Sequence, residues 1–181
     1  MDKMLQIGDL IDGRYEVDDL VNQGGQALLA KAVDQQTGLD VAVKQLTVAQ
    51  NAKNYDEEVK RFERSGRTRI GHRRVVDPTD FIEDIPEYYL IMPWIPGGDL
   101  QAILDASGGK LPADQAVTIA VGIAEGLQGI HLQGLVHRDI KPANILMHPQ
   151  EGPLITDLGI CHNINEQTIT NGQSVLGSLF Y

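Results

Sequence analysis

The chain has 181 residues, 42% of them apolar, with 25 acidic against 15 basic side chains and a formal net charge of −10. That length suits a domain of ordinary size with enough apolar residues for a core in two lobes, while the acidic balance argues against nucleic acid as a partner, since phosphate backbones are held by clustered Lys and Arg. No apolar run approaches the roughly 18 residues of a membrane-spanning helix, the acidic start MDKMLQIGDLID is unlike a secretory leader, and the single cysteine, Cys161, excludes an internal disulfide and fits a reducing cytoplasm.

The amino-terminal part alternates and is rich in β-formers. Tyr15–Val21, Ala27–Ala32 and Leu39–Leu46 are expected as strands joined by turns at Gly24-Gly25 and Thr37-Gly38. A polar helical segment follows from about Asn54 to Ile70, its inner face marked by Val59, Phe62, Gly66 and Ile70, and then strands around Val75–Ile82 and Tyr88–Met92. Pro93, Pro96 and Gly97-Gly98 break the pattern. Beyond them a short helix is expected over Asp99–Asp105 and a long one over Pro112–Gln133, with Pro112 as an early helix residue. In the long helix Val117, Ala120, Val121, Ala124, Leu127, Gln128 and His131 follow helical spacing, which predicts a core-facing stripe. His131, His72, His148 and His162 are expected to be structural, because no pair has metal-ligand spacing.

The stretch HRDIKPAN, His137 to Asn144, reads H-R-D-x-x-x-x-N, and Asp157-Leu158-Gly159 follows as a D-x-G. Asp139 stands where a base must accept a hydroxyl proton, and Asn144 and Asp157 offer the hard oxygen ligands that Mg2+ takes. Lys141 can sit beside a transferred phosphoryl group and offset its charge. In these motifs the chain resembles the eukaryotic-like serine/threonine protein kinases, including those that bacteria carry, and the resemblance runs over its whole length.

The resemblance implies an α+β, bilobal fold: an antiparallel β amino-terminal lobe with one helix over residues 1–92, a hinge at 93–98, and over 99–181 part of a mainly helical carboxy-terminal lobe with the catalytic loop and activation segment. It implies that ATP and Mg2+ are used to phosphorylate Ser and Thr of a protein substrate. Lys44, closing VAVK, would contact the α and β phosphates, and the small Ala42 would let adenine lie against its strand. Met92 with Pro93-Trp94-Ile95 resembles the gatekeeper and hinge; Leu29 and Ala42 would lie above the ring and Leu146 below it. Val21, Gly24 and Gly25 fall in the region of the glycine-rich loop and would touch the nucleotide. Gly24 takes the central place, while Asn22 and Ala27 replace the flanking glycines, so weakened nucleotide affinity is expected.

Lys44 needs a glutamate from the helix that follows. At about 100° per residue Glu63 lies about 40° from Val59, and Glu58 about 100° away on the other side, so Glu63 is the expected partner and Glu58 the alternative. Arg67 then stands one turn on, where the family has an apolar residue. GSLFY at the carboxy end resembles G-T-x-x-Y and makes Ser178 the residue that orients the catalytic loop. Arg138 beside Asp139 marks kinases whose activation loop is ordered by phosphorylation, with Thr170 the first acceptor and Ser174 and Thr168 behind it. The basic run Lys60, Arg61, Arg64, Arg67, Arg69, Arg73 and Arg74 is either a solvated helix face or a docking surface for a phosphorylated or acidic segment.

The altered glycine loop and Arg67 also fit a nucleotide-binding pseudokinase that serves as a docking module. A small-molecule phosphotransferase of related fold fits less well, because such enzymes usually lack the Arg138 and Lys141 arrangement. The family's A-P-E-like motif and later helices do not appear before Tyr181, so the chain is expected to be a truncated kinase domain rather than a natural minimal one. On that expectation Ile119, Ile123, Leu127 and Ile130 cannot all be buried, and the chain alone is inactive and marginally folded or self-associated.

Overall fold

The computed structural model describes residues 4–23, 27–158 and 162–163. The chain divides into two compact units, Met1–Arg69 with Asp77–Trp94, and Ile70–Val76 with Ile95–Tyr181.

Alternating small and branched residues build the first unit around an antiparallel sheet. Its strands are β1 (Leu10–Ile11), β2 (Tyr15–Gln23), β3 (Ala27–Asp34), β4 (Asp40–Leu46), β5 (Asp80–Asp84) and β6 (Glu87–Pro93), in the spatial order β1-β2-β3-β4-β6-β5. The period of two sends Leu28, Ala30 and Ala32 of β3, Val41 and Val43 of β4 and Ile91 of β6 into one core, where they bury with Tyr15, Val17, Ile82 and Tyr89. Leu5, ahead of the first strand, completes this core, and its N–H donates to Oε1 of the buried Gln45 at 2.9 Å. At the β3–β4 turn the buried Asp34 accepts two 2.8 Å bonds from Arg14 and one from the Thr37 hydroxyl. The guanidinium holds this carboxyl well below the usual carboxylate range.

Helix α1 (Tyr55–Arg67) carries Asp56, Glu57 and Glu58 in its first turn and Arg64 and Arg67 in its last, as the helix dipole favours. It packs against β5 and β6. The buried face consists of Glu58, Phe62, Ser65 and Gly66, so the expected stripe is corrected: Val59 is only half-buried and Glu58 takes the inner position. Phe81 sets this rotation. Gly66 lets the helix come so close to the Phe81 ring that a Cβ would overlap it, and the Phe62 ring meets Phe81 at 6.1 Å between centroids.

The expected strand over Val75–Ile82 does not form as one piece. Pro78 offers no N–H for a ladder, and residues 74–76 pair elsewhere: Ile155 N–H donates to the Arg74 carbonyl and Val76 N–H to the Ile155 carbonyl, each at 2.8 Å. This exchange explains why Ile70–Val76 groups with the second unit.

That unit contains α2 (Leu100–Ala106), α3 (Ala113–Leu132), β7 (Leu135–Val136), a 3-10 turn at Pro142–Asn144, β8 (Ile145–His148), β9 (Gly152–Ile155) and β10 (His162–Asn163). β8 and β9 form an antiparallel hairpin, and β10 pairs with β7. Asp99 caps α2 by accepting the Ala102 N–H at 2.8 Å. The core gathers Ile70, Val75, Leu100, Ile119, Ile130, Ile145, Ile155 and Leu158.

Helix α3 overturns one expectation and meets another. Its buried residues are Ile119, Gly122, Gly126, Gly129 and Ile130, whereas Ala120, Ala124, Gln128 and His131 are exposed along with Val117 (63%) and Val121 (54%), and Leu127 is half-buried. The four large apolar positions are not all buried, as expected: Ile119 and Ile130 are, while Ile123 and Leu127 are half-buried against the same core. Close approach is the reason that glycines face inward. A Cβ at Gly122 would overlap Pro153; at Gly126 it would stand 2.8 Å from Ile155 Cδ1 and 2.9 Å from the Arg74 carbonyl oxygen; at Gly129 it would stand 2.6 Å from His72 Cγ. Arg74 binds the same three elements together: Nε donates to Glu125 of α3 at 2.8 Å, and a terminal nitrogen reaches the Glu151 carbonyl in the β8–β9 turn. Arg74, with help from Arg73, holds the Glu125 carboxyl below its ordinary value.

His72 and His148 are structural, each accepting backbone N–H groups through Nδ1. Among the described residues no helix is long and apolar enough to cross a membrane.

Candidate active site

The expected site residues fall on both units, and each group is described where it stands. In the first unit the register places Leu29 opposite Lys44 and Ala42 opposite Met92, and directly opposed residues share a sheet face. These four therefore occupy the face turned away from Leu28, Val43 and Ile91. Ala42 is buried, and Leu29, Lys44 and Met92 are half-buried. Val21 is exposed and sits where the β2–β3 register shifts between Leu20 and Asn22. Trp94 is half-buried, its N–H donating to the Asp40 carbonyl at 3.4 Å just past the β4–β6 ladder. Gly24 and Gly25 lie outside the described residues.

The two glutamates of α1 have different surroundings. Glu63 lies toward solvent, accepting from Arg67 Nε at 3.0 Å, while Arg67 also bonds Glu83 at 2.7 Å. Glu58 is the inward carboxylate, 8% exposed, and accepts from Arg61 at 3.0 Å and Asn54 at 3.3 Å. One turn after Glu58 comes the buried Phe62. The apolar residue expected one turn past the glutamate is thus present when the count starts from Glu58, and Arg67 no longer occupies that place.

Most of the basic run is neutralised within its own unit. Arg61 pairs with Glu57 and Glu58, Arg67 with Glu63 and Glu83, and Arg73 and Arg74 with Glu125, while Arg69 donates to the Gly66 and Thr68 carbonyls. Lys60 and Arg64 stay exposed on α1.

In the second unit the HRDIKPAN segment folds back on itself. Lys141 Nζ donates to Asp139 Oδ2 at 2.6 Å, and Asn144 Nδ2 donates to the Asp139 carbonyl at 2.8 Å and to Oδ2 at 3.0 Å. His137, 1% exposed, joins the two motifs: its Nδ1 accepts the Asp139 N–H at 3.3 Å and its Nε2 faces the Thr156 carbonyl at 2.9 Å. That pairing requires the neutral tautomer with the proton on Nε2. Arg138 and Asp157 adopt φ of 67° and 66°, left-handed conformations that a non-glycine residue holds only when its surroundings impose them. Leu158 is buried in the core, Leu146 is half-buried on β8, and Ile95 is half-buried. His137 carries no role in the sequence reading, although it opens the motif; that membership was the available signal. Thr168, Thr170, Ser174 and Ser178 lie outside the described residues.

This arrangement suits a hydroxyl-activating base and a hard cation. Asp139 is fixed by a cation and an amide and can receive a proton. With the Asn144 amide nitrogen committed to Asp139, its oxygen is the atom that could face a metal, and Asp157 could add a carboxylate. Mg2+ is characteristically held through only one or two such protein oxygens.

The family described as protein kinase domain matches residues 15–181. Over 178 residues the chain is 34% identical to a probable serine/threonine-protein kinase of Clostridium acetobutylicum, with 97% of this chain and 26% of that protein covered. It is 33% identical over 177 residues to serine/threonine-protein kinase PrkC of Bacillus subtilis, covering 97% and 27% respectively. For serine/threonine-protein kinase PknA of Mycobacterium tuberculosis the identity is 32% over 184 residues, covering 97% and 42%. The chain thus spans about a quarter of the length of the first two relatives.

Proposed function

The chain belongs to the protein kinase family, and on that footing we infer that it transfers the γ-phosphoryl group of ATP to serine or threonine hydroxyls of a protein substrate. The observation that carries this reading is the Asp139 carboxylate, held at 2.6 Å by Lys141 and at 3.0 Å by Asn144. Asp139 accepts the proton of the incoming hydroxyl. Lys141, already beside it, offsets charge on the transferred group. Lys44 holds the α and β phosphates, with Glu58 rather than Glu63 as its glutamate. Leu29, Ala42 and Leu146 enclose the adenine, whose edge meets the backbone of Met92, Trp94 and Ile95, and Val21, Gly24 and Gly25 cover the phosphates. Asn144 and Asp157 would hold Mg2+, which when bound would neutralise charge developing on the phosphates. The reading places the domain in the cytoplasm, where ATP is supplied. An acidic or phosphorylated partner docking on the basic run would meet Lys60 and Arg64.

The test is transfer of radiolabelled phosphate to a generic protein substrate by the chain and by Asp139→Asn. The variant is expected to bind ATP as the parent does and to lose roughly 10²- to 10⁴-fold in rate, the usual contribution of a general base. Chelating Mg2+ stops the parent reaction. Equal labelling by both proteins would overturn the role of Asp139. A parent that binds ATP and labels nothing would fit both the inactivity expected of this chain alone and a nucleotide-binding pseudokinase, for which Asn22 and Ala27 in the glycine loop speak; labelling by a longer form that continues past Tyr181 would decide for the kinase.

A further inference from the structure

Pro96-Gly97-Gly98-Asp99 lies along β8 in the second unit. The Met147 N–H donates to the Gly98 carbonyl at 2.8 Å, and Asp99 forms an antiparallel bridge with Leu146. At Gly97 the two main chains come nearest: a Cβ would overlap the Met147 carbonyl oxygen and stand 2.9 Å from its carbonyl carbon. Both atoms are backbone, so no side chain can swing aside. Gly98 differs, with φ 69° and open space around a Cβ position. One glycine therefore supplies a backbone conformation and the other supplies proximity. Past them, Asp99 caps α2, and α2 packs on the 3-10 turn that ends at Asn144 and on β8. Ile145 at the start of β8 pairs with Ile155, two residues ahead of Asp157.

We propose that Gly97 is a positioning residue: by letting the main chain ahead of α2 lie against Met147, it sets the place of Leu146 against the adenine ring and, through β8, that of Asn144. The proposal rests on the nucleotide reading above and adds a residue that acts only through others. Any side chain at position 97 forces apart the two main chains and carries β8 with it.

The 181-residue chain and its Gly97→Ala, Met147→Pro and Gly108→Ala variants are titrated with a fluorescent ATP analogue in Mg2+, with amide hydrogen exchange followed at Leu146 and Met147. Met147→Pro removes the bond to Gly98 without enlarging residue 97. Gly108 follows α2 at φ 69° with nothing near a Cβ position, so its variant reports backbone strain alone. Misplacing a reacting group by about 1 Å costs about a hundredfold; for a supporting side chain we expect Gly97→Ala and Met147→Pro to weaken binding about tenfold. Gly97→Ala should also lose protection at Met147, whereas Gly108→Ala should lower the thermal midpoint and keep parental affinity. Parental affinity and protection in Gly97→Ala, or an equal affinity loss in Gly108→Ala, would overturn the proposal. Should Gly97→Ala fail to fold, parental affinity in Met147→Pro would overturn it equally. A parent that bound no analogue would sink the kinase reading by itself; protection at Met147, kept or lost in Gly97→Ala, would still decide whether Gly97 sets the strand.

Discussion

Helix α1 turns a carboxylate inward and helix α3 turns glycines inward, and in both the inner face is chosen by how near another element must come. In α1 a single glycine, Gly66, admits the Phe81 ring, and the resulting rotation carries Glu58 inside with Phe62. In α3 three glycines, Gly122, Gly126 and Gly129, admit Pro153, Ile155 and His72, while Val117 and Val121 are left in water. Burying a valine side chain is worth roughly 1.5–3 kcal/mol, so α3 forgoes a sizeable term. What it gains is close approach of its own main chain to His72 and Arg74 and to the side chains of Pro153 and Ile155 on β9, the strand that leads to Asp157. The difference shows that α3 gives the middle of its inner face, between Ile119 and Ile130, to close approach, while α1 uses the same device to deliver a charged group.

The comparison can be broken most sharply at Gly126. Alanine there gains about 1 kcal/mol of helix propensity but must overpack against Ile155 and the fixed Arg74 carbonyl, which costs about 1–3 kcal/mol; net destabilisation in urea unfolding is expected. A more stable Gly126→Ala would mean that α3 does not approach so closely. A second measurement separates the glutamates of α1. Hydrogen bonds to charged groups are worth roughly 1.5–3 kcal/mol, so phosphate transfer should fall about 10- to 100-fold in Glu58→Gln and change less than about twofold in Glu63→Gln, whose exposed pair with Arg67 contributes little. The reverse ranking would return Glu63 to the role. Smallest of all is Val121→Ser on the outer face of α3, expected to move stability by no more than about 0.5 kcal/mol in the same unfolding assay.

These helices also show what was legible in the sequence. The existence of α1 and α3, and of β2, β3, β4 and β6, follows from alternation, helical spacing and the breakers between them. Their faces were harder, because periodicity assigns the inside to apolar side chains and is blind to a glycine whose purpose is contact. The β8–β9 hairpin was missed: each strand has four residues, too few for a period, and Pro153 interrupts the second. The meeting of Asp139, Lys141 and Asn144 could be read from residue types at fixed spacing, since those residues lie close in the chain. Which glutamate of α1 faces inward could not, because that depends on the rotation that Phe81 imposes from beyond the helix. Gly97 was hidden for the same reason, its neighbour Met147 being far along the chain.

The burial of Leu5 bears on where this polypeptide can be divided. The family match begins at residue 15, yet Leu5 is 3% exposed in the first core, joined there by Ile11, and donates to Gln45 beside Lys44. Recognisable ancestry and exclusion of solvent therefore start at different points. A fragment trimmed to the ancestral limit would remove two core residues and one donor to a buried amide, leaving an open seam along the sheet through which copies could associate.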